Sequence, residues 1–554
     1  MARGDEHELM LQTAAERRNA LAGGAIALAA ILLFIGIAAV SLAASGGGAA
    51  FAGIISDPYI LRVLRFTLLQ AVLSTLLSVF LAIPVARSLA RQPQFPGRIW
   101  IIRLMAVPMG LPVLIGALGL IGIWGRQGLL NSALTKLGLA EPVSIYGLTG
   151  ILLAHVFFNL PLACRLMLAG LERLPSEYWL MAGNLGMRPR AIFRFIEWPA
   201  IRGLIPGVAG LIFMLCATSF TLVLTLGGGP AATTVEVAIY QSLRFDFDPG
   251  RAVALSLLQI ALTGLVLAAM SLLPASPDEG LTAGHRAMRF DGRKPTAKLS
   301  DSLLLIAVTA FLLSPLLSVV VAGLKADLPK LLGEPVFWQA AAMSFGISIS
   351  AATLALLVSA ALIRARQTIA TSKQSGRGNR AFFTTMGGAS SMVLLAPPVV
   401  LATGWFMTLR PFGDAEIFAP ALVVLINMLM ALPFVMRVLE PAYLVHQRRT
   451  ARLSASLGIA GIARLRLIDW PGLRKPFLTA LSFAMALSLG DLGAVALFGS
   501  DGFITLPWLV YSRMGSYRTN DADGFALILG VICLLLTIAG TSGQVRGHGA
   551  DDGR

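Results

Sequence analysis

The sequence predicts an all-α integral membrane protein with twelve transmembrane helices in two homologous halves of six. Three observations lead to this prediction: the chain is strongly apolar, its apolar runs are long, and one polar stretch occurs twice. Of 554 residues, 56% are hydrophobic and only 13% are charged, whereas soluble proteins carry about 25% charged residues. The main solvent of this chain is therefore expected to be a bilayer.

Twelve apolar runs approach the roughly 20 residues that a helix needs to cross a bilayer. They lie near residues 22–43, 66–86, 104–123, 145–164, 203–226, 252–273, 302–322, 341–363, 388–409, 417–436, 476–497 and 524–541. Pro84, Pro108 and Pro112 fall in or beside these runs, which membrane helices tolerate. The length of the first run favours an uncleaved helix over a signal peptide.

Lys and Arg are unevenly distributed between alternate loops. With the N-terminus in the cytoplasm, 33 of the 44 Lys and Arg residues fall in cytoplasmic segments. Such a bias marks the inner side of a membrane protein. The net charge of +16 is therefore interpreted as a sign of orientation and not of nucleic-acid binding. Both termini are expected to be cytoplasmic.

The predicted domains are a tail with the first helix (1–59), a first transmembrane domain (60–273), a linker with the seventh helix (274–335), a second transmembrane domain (336–541) and a tail (542–554). The stretch 274–301 is basic and rich in turn-forming residues, as a linker would be. Two similar halves in one chain suggest a pathway between them. The sequence contains no phosphate-binding loop of the Walker type, so any ATP hydrolysis is expected on another polypeptide.

The stretch from Leu160 to Trp198 recurs 272 positions later, from Leu432 to Trp470, without a gap. The copies end in Ile-Glu-Trp-Pro and Ile-Asp-Trp-Pro. A repeated polar stretch inside so apolar a chain must face water. It therefore indicates a docking element for a soluble partner.

Each copy predicts a short amphipathic helix behind a glycine turn, with apolar residues at helical spacing. Pro199 and Pro471 are expected to stop this helix before the next span. The residues assigned to docking are Ala182, Gly186, Ile192, Phe195, Ile196, Trp198 and Pro199, and in the second copy Ser454, Gly458, Leu465, Ile468, Trp470 and Pro471. A helix lying on anionic headgroups is the alternative, but lipid contact requires no fixed spacing from glycine to proline.

The repeated stretch resembles the coupling loop of ABC-importer permeases, with its glycine, fixed gap and terminal Ile and Pro. Two features depart from the family pattern. Leu180-Met181-Ala182 and Arg452-Leu453-Ser454 stand where the family has Glu-Ala-Ala, and Trp198 and Trp470 replace a Leu. The resemblance implies that each loop forms a coupling helix seated in a groove of an ATPase subunit. It implies no enzymatic activity and no cofactor in this chain.

Further blocks are similar to the fused two-domain permeases of bacterial thiamine importers. They are residues 224–234, 238–241, 245–249, 489–493, 496–499 and 514–518. This resemblance covers most of the chain and implies import of thiamine, with its phosphates, through the bacterial inner membrane by alternating access. The implied partners are a cytoplasmic ABC ATPase dimer and a periplasmic thiamine-binding protein.

Two other functions stay open on sequence grounds. A permease of the same fold could carry ferric iron or a polyamine, because few pocket residues can be assigned. An ion-driven secondary transporter with six plus six helices is the second alternative, although it has no need for two matched loops.

Asp491 is an ionisable residue inside the eleventh predicted span, and the repeat offset aligns it with Ser219. Charges within membranes are costly and often functional. Both residues are candidates for the translocation pathway, where a carboxylate would attract a cationic substrate. The alternative is that Asp491 caps a broken helix between Gly490 and Gly493. The histidines and carboxylates form no pattern that predicts a metal or catalytic site.

Overall fold

The computed structural model describes residues 14–138, 144–272, 289–370, 396–413, 415–500 and 502–545. The regular structure in these ranges is helical, which confirms the all-α prediction. The helices before the linker are α1 (Ala14–Ser56), α2 (Pro58–Arg91), α3 (Arg98–Leu104), α4 (Val107–Gly110), α5 (Val113–Trp124), α6 (Leu129–Lys136), α7 (Leu148–Glu172), α8 (Ser176–Asn184), α9 (Pro189–Ile192), α10 (Trp198–Arg202), α11 (Ile205–Ala217), α12 (Thr221–Leu226), α13 (Val235–Arg244) and α14 (Pro249–Ser271).

Within its described residues, the second half repeats this order. Its helices are α15 (Pro295–Lys325), α16 (Leu328–Gly333), α17 (Pro335–Ala370), α18 (Pro398–Leu409), α19 (Ala419–Ser456), α20 (Gly461–Arg464), α21 (Trp470–Leu489), α22 (Gly493–Phe498), α23 (Leu506–Gly515) and α24 (Thr519–Val545). Helix α19 is continuous where the first half breaks into α7 and α8.

Ten helical segments of the described residues are long and apolar enough to cross a membrane, and a pair bent by 53° (Pro189–Arg202 with Ile205–Ala217) makes an eleventh. These segments match eleven of the predicted spans. The remaining predicted span, 388–409, is described only from residue 396 onward, and this part contains helix α18. The count of twelve therefore stays a prediction.

The third predicted span, 104–123, is wrong in its start. The chain bends after α3 and α4, and a helix resumes only at Val113, directly after Pro112, whose backbone is extended (φ −52°, ψ 132°). Pro108 and Pro112 cannot donate backbone hydrogen bonds, so a continuous helix across them would lose two of its backbone hydrogen bonds.

The two halves share hydrogen bonds at equivalent positions. Thr67 Oγ1 on α2 accepts from the backbone N–H of Val235 at 3.0 Å. Ser344 Oγ on α17 accepts from the N–H of Leu506 at 2.8 Å. Each hydroxyl thus satisfies a donor at the start of a short helix, one of the groups that has no partner within its own helix. The repeated contact confirms two homologous halves.

The first helix of each half packs on the other half. Helix α1 lies against α17 and α18, and α15 lies against α5. Two glycines allow these close approaches. A Cβ atom at Gly119 would collide with the carbonyl oxygen of Pro315, and one at Gly404 would lie 2.6 Å from that of Ala38. Helix α1, which precedes the first half, therefore packs on the second half, and helix α15, which precedes the second half, packs on the first.

Candidate functional site

The repeated stretch forms two segments of the same backbone design, here called the first repeat element (residues 176–202) and the second repeat element (residues 448–474). The first begins with helix α8 and the second with the last turns of α19. Both then turn at a glycine and continue through a short α-helix and a single π-helical turn into the following span. This order of elements places the repeated residues at one end of the fifth and eleventh predicted spans.

A glycine turn opens each element. Gly186 has φ +60° and Gly458 has φ +62°, a conformation that costs other residues roughly 1–2 kcal/mol. The N–H of Met187 bonds to the carbonyl of Ala182 at 3.0 Å, and Ile459 bonds to Ser454 at the same distance. These contacts are those of the glycine-terminated helix end described as a Schellman motif. The predicted role of both glycines as tight turns is confirmed.

The helix after the turn does not stop at the proline, so that prediction was wrong. Residues Phe193–Glu197 and Leu465–Asp469 each form one π-helical turn. The N–H of Trp198 bonds to the carbonyl of Phe193, and that of Trp470 bonds to Leu465. The wider turn shifts the bonding register just before the proline, which has no N–H to donate. Pro199 and Pro471 then lie at the start of α10 and α21.

Burial divides the predicted docking residues into two groups. Ala182 and Ile192 are buried against Trp179, Ser454 is buried, and Ile196 and Ile468 are half-buried. These side chains hold the elements together. The exposed group consists of Gly186, Phe195, Trp198, Pro199, Gly458, Leu465, Trp470 and Pro471. Only this second group is available to a partner.

The sequence pattern missed the residue that matches Phe195 in the second element. Phe195 is 66% exposed, and Leu467, which occupies the same place, is 67% exposed. Leu465 was chosen for the predicted stripe, but it corresponds to Phe193. The repeat offset of 272 residues would have identified Leu467 directly.

Exposed arginines surround the exposed apolar side chains. They are Arg188, Arg190 and Arg194 in the first element and Arg448, Arg449, Arg452 and Arg466 in the second. An apolar centre with a polar rim is the usual composition of a protein–protein interface. The charge of this rim suits an acidic partner surface.

The acidic residue of each terminal tetrapeptide is buried and paired, a role that the sequence analysis left unassigned. Glu197 is fully buried, and its Oε2 lies 2.6 Å from Nε of Arg87 on α2. Arg87 also donates to the carbonyl of Pro189 at 3.0 Å. In the second element, Asp469 Oδ1 lies 3.1 Å from Nε2 of His446. A buried carboxylate needs such partners, so each acid anchors its element to the helices behind it.

Asp491 and Ser219 both lie where a span is broken. Ser219 falls between α11 and α12, and Asp491 falls between α21 and α22. The carboxylate of Asp491 accepts from the N–H of Gly493 at 3.2 Å and from that of Ala494 at 3.4 Å. It therefore caps α22, as the alternative interpretation had it. Broken helices near the centre of a transporter commonly surround the substrate site.

The described residues contain no group of three or more His, Cys, Asp or Glu side chains that could hold a metal ion.

Comparison with known proteins gives one consistent family. Residues 78–276 match the family described as binding-protein-dependent transport system inner membrane component. The chain is 49% identical over 514 residues to the thiamine transport system permease protein ThiP of Brucella abortus (strain 2308), which covers 93% of each chain. The corresponding protein of Salmonella typhimurium is 42% identical over 529 residues, covering 94% of this chain and 97% of that one.

The Escherichia coli (strain K12) protein of the same name is 44% identical over 482 residues, which are 87% of this chain and 88% of that one. The helices, the paired elements and these matches define a multi-pass inner-membrane permease of the ABC-importer class. Within that class, the chain belongs to the family of thiamine transport system permease proteins.

Proposed function

We propose that this chain is the translocating subunit of an importer that carries thiamine, and its phosphates, from the periplasm to the cytoplasm. A periplasmic thiamine-binding protein delivers the substrate, and a separate cytoplasmic ABC ATPase dimer supplies the energy. Residues 60–273 and 336–541 are the two permease domains. Both termini and both repeat elements lie on the cytoplasmic side.

The observation that carries this proposal is the shared backbone design of the two repeat elements. The glycine turn, the π-helical turn and the buried acid occur at equivalent positions in both halves. One ATPase subunit on each element would meet the same backbone shape twice, as a dimer of identical subunits requires. An amphipathic helix lying on lipid would need no such correspondence.

The exposed side chains supply the contact to the ATPase. Phe195 and Leu467 project outward at equivalent positions and are two-thirds exposed. Large exposed side chains of this kind carry much of the binding energy when a partner buries them. The arginine rims favour an acidic border around the receiving groove. Closure of the ATPase dimer would then move both elements together and switch the pathway between its two openings.

Asp491 and Ser219 are the proposed pathway residues. Both occupy helix breaks at equivalent positions of the two halves, which brings a carboxylate and a hydroxyl to comparable depths of the fold. The capping bonds of Asp491 use one contact on each oxygen, and each carboxylate oxygen has further acceptor capacity. That capacity is suited to a cationic substrate such as thiamine.

Reconstitution tests the proposal. The purified permease, ATPase and binding protein are placed in proteoliposomes, and uptake of radiolabelled thiamine is measured. We expect accumulation that requires ATP and the binding protein. Excess unlabelled thiamine should abolish it, and ferric iron or a polyamine should not.

Two results would contradict the proposal. Thiamine accumulation driven by an ion gradient without the ATPase would indicate a secondary transporter. Competition by ferric iron or a polyamine, with none by thiamine, would indicate another substrate on the same fold. The double variant Phe195→Ser with Leu467→Ser provides the matched test of docking, because it should abolish ATP-dependent uptake without unfolding the permease.

A further inference from the structure

The linker between the halves lies directly on the first repeat element. Arg289 is almost completely buried, and its Nη2 lies 2.5 Å from Oε1 of Glu197 and 2.8 Å from Oδ2 of Asp291. Its guanidinium also lies over the ring of Trp179, 4.1 Å from the centroid. Glu197 is therefore held from two sides, by Arg87 of α2 and by Arg289 of the linker.

These four charges balance one another. Glu197 and Asp291 contribute two carboxylates, and Arg87 and Arg289 contribute two guanidinium groups. Buried ions are tolerated when each has a partner of opposite sign, and removal of one partner is strongly destabilising. Loss of Arg289 alone would leave two buried carboxylates against one arginine.

The contact continues from the linker into the next span. Gln92 at the end of α2 donates to the carbonyl of Gly292 and to Oδ2 of Asp301, both at 3.0 Å. Asp301 on α15 also pairs with Arg91. Ion pairs and the hydrogen bonds of Gln92 together therefore join the first repeat element to both α2 and α15.

A glycine makes room for the linker. A Cβ atom at Gly183 would lie 2.8 Å from Cδ2 of Phe290, so only glycine allows the phenyl ring to rest there. The linker and the element together line an open pocket of about 210 Å³. At the equivalent places of the second element, Ala455 replaces Gly183 and Ala451 replaces Trp179. The second element thus lacks both features that seat the linker on the first.

The second element is held differently within the described part of the chain. Asp469 pairs with His446 and, at 3.8 Å, with Arg464, which both belong to the second half. A contact from outside that half is the exposed hydrogen bond from the N–H of Gly461 to Glu16 of α1, at 3.1 Å. An exposed hydrogen bond of this kind restrains an element far less than a buried four-charge cluster.

We propose that the linker residues Arg289–Gly292 act as a clasp that makes the first repeat element the stiffer of the two ATPase connections. Arg289 is the positioning residue of this clasp. The inference rests on the proposed function, because it assumes that an ATPase subunit docks on each element. It adds that the two connections are unequal: buried contacts carry motion of the first element to α2 and α15 together, whereas the buried acid of the second element is paired within its own half.

The test compares the ratio of thiamine transported to ATP hydrolysed in the complete reconstituted complex. Arg289→Gln keeps a polar side chain but shortens it and removes its charge, and we expect it to lower this ratio by about fivefold or more, the scale of a typical coupling between two sites. Arg289→Lys restores a charge and should recover part of the loss. Lys298→Gln, an exposed position just beyond the linker residues, is the matched control and should leave the ratio unchanged.

Two further variants keep the result decisive. His446→Gln in the second half should lower the ratio by less than Arg289→Gln does. If Arg289→Gln fails to fold, Gly183→Ile displaces Phe290 without removing any charge, and it should also lower the ratio. A wild-type ratio in folded Arg289→Gln or Gly183→Ile permease, or a larger effect of His446→Gln, would overturn the clasp.

Failure of the clasp can be distinguished from failure of the proposed function. If the ATPase does not copurify with wild-type permease, or if thiamine is not carried, the proposed function fails. If wild-type transport proceeds as expected and Arg289→Gln behaves like wild type, only the clasp fails.

Discussion

The side-chain hydroxyl of Ser344 accepts a hydrogen bond from the backbone N–H of Leu506 at 2.8 Å, although 162 residues separate them in the chain. The equivalent bond in the first half joins Thr67 and Val235. Each bond connects the second span of its half to the short helix that precedes the last span. The two bonds therefore hold the same contact in each half, the one between the second span and that short helix, here called the corner.

Loss of either hydroxyl should destabilise the permease. Ser344→Ala and Thr67→Val each leave a buried N–H without its acceptor, which costs about 1–3 kcal/mol. We expect a lower midpoint of thermal unfolding in detergent for both variants. Thr75→Val is the matched control, because the hydroxyl of Thr75 bonds only within α2, to the carbonyl of Ala71. An unchanged midpoint for both test variants would show that these bonds do not support the corner.

The crossed packing of α1 and α15 should depend on two glycines. Gly119→Ala and Gly404→Ala push a methyl group into a backbone carbonyl, and such overpacking costs about 1–3 kcal/mol. We expect reduced yield of folded protein and a lower unfolding midpoint. Gly346→Ala is the control, since a Cβ atom there meets no neighbour within 4 Å. Equal stability of all three variants would contradict the close approach.

The glycine turns of the repeat elements should matter for coupling more than for stability. Gly186→Ala and Gly458→Ala must adopt a positive φ at a cost of roughly 1–2 kcal/mol, and the exposed elements can relieve it by changing shape. We expect weaker binding of the ATPase, measured by copurification or titration. Gly333→Ala serves as control, because that glycine ends a helix without positive φ. Normal ATPase affinity in both turn variants would count against the elements as docking sites.

The equivalent exposed residues should act as binding hot spots. Phe195→Ala and Leu467→Ala remove side chains that contact little of the permease itself, so we expect normal stability and about tenfold weaker ATPase binding for each. Ile192→Ala provides the contrast: its side chain is buried, so it should lower stability first. If the two exposed variants bind the ATPase normally, the partner docks elsewhere.

Glu236 predicts a pH dependence of stability. It lies fully buried in α13, between the fifth and sixth spans, and its carboxylate oxygens have no hydrogen-bond partner among the described residues. Burial raises the pKa of Glu236 from 4.5 to about 8. Between these two values the folded protein binds more protons than the unfolded chain, so stability falls as pH rises from about 4.5 to about 8.

Glu236→Gln should remove this slope, because the amide is neutral throughout. The measurement is the free energy of unfolding across that pH range for both proteins. Asp246→Asn, at an exposed carboxylate just after the same helix, should keep the slope of the wild type. A slope in Glu236→Gln equal to that of the wild type would assign the pH dependence to other groups.

The parts of this structure that depend on local composition and on the repeat could be predicted from the sequence. Apolar length predicted eleven spans that the described residues contain, and Gly186 and Gly458 were correctly predicted as turns. Pro199 and Pro471 were misjudged because a single π-helical turn changes the bonding register just before each proline. That change depends on one peptide group, and no residue type marks it.

Contacts between residues on different helices were the second feature that the sequence did not predict. Glu197 and Asp469 were visible as a repeated acid, but their partners were not: Arg87 lies 110 residues from Glu197, and His446 lies 23 residues from Asp469 on another helix. Arg289 was one of many bases in the linker, and nothing local distinguishes it from its neighbours. Ala182 and Ile192 were predicted to face a partner and instead lie buried in a cluster with Trp179, which is on the same helix as Ala182 and on the helix before Ile192.

The crossed arrangement of α1 and α15 has a consequence for biogenesis. The surface of helix α5 at Gly119 has no packing partner from α15 until α15 has been synthesised and has entered the bilayer. Packing of the first half is therefore completed only after synthesis of the second half has begun. Helix α1, made first, contacts α14 of its own half and completes its packing only when α17 and α18 have been synthesised. Neither half can complete its helix packing as an isolated nascent domain. Because both halves belong to one polypeptide, the packing partners of each half are made in equal number.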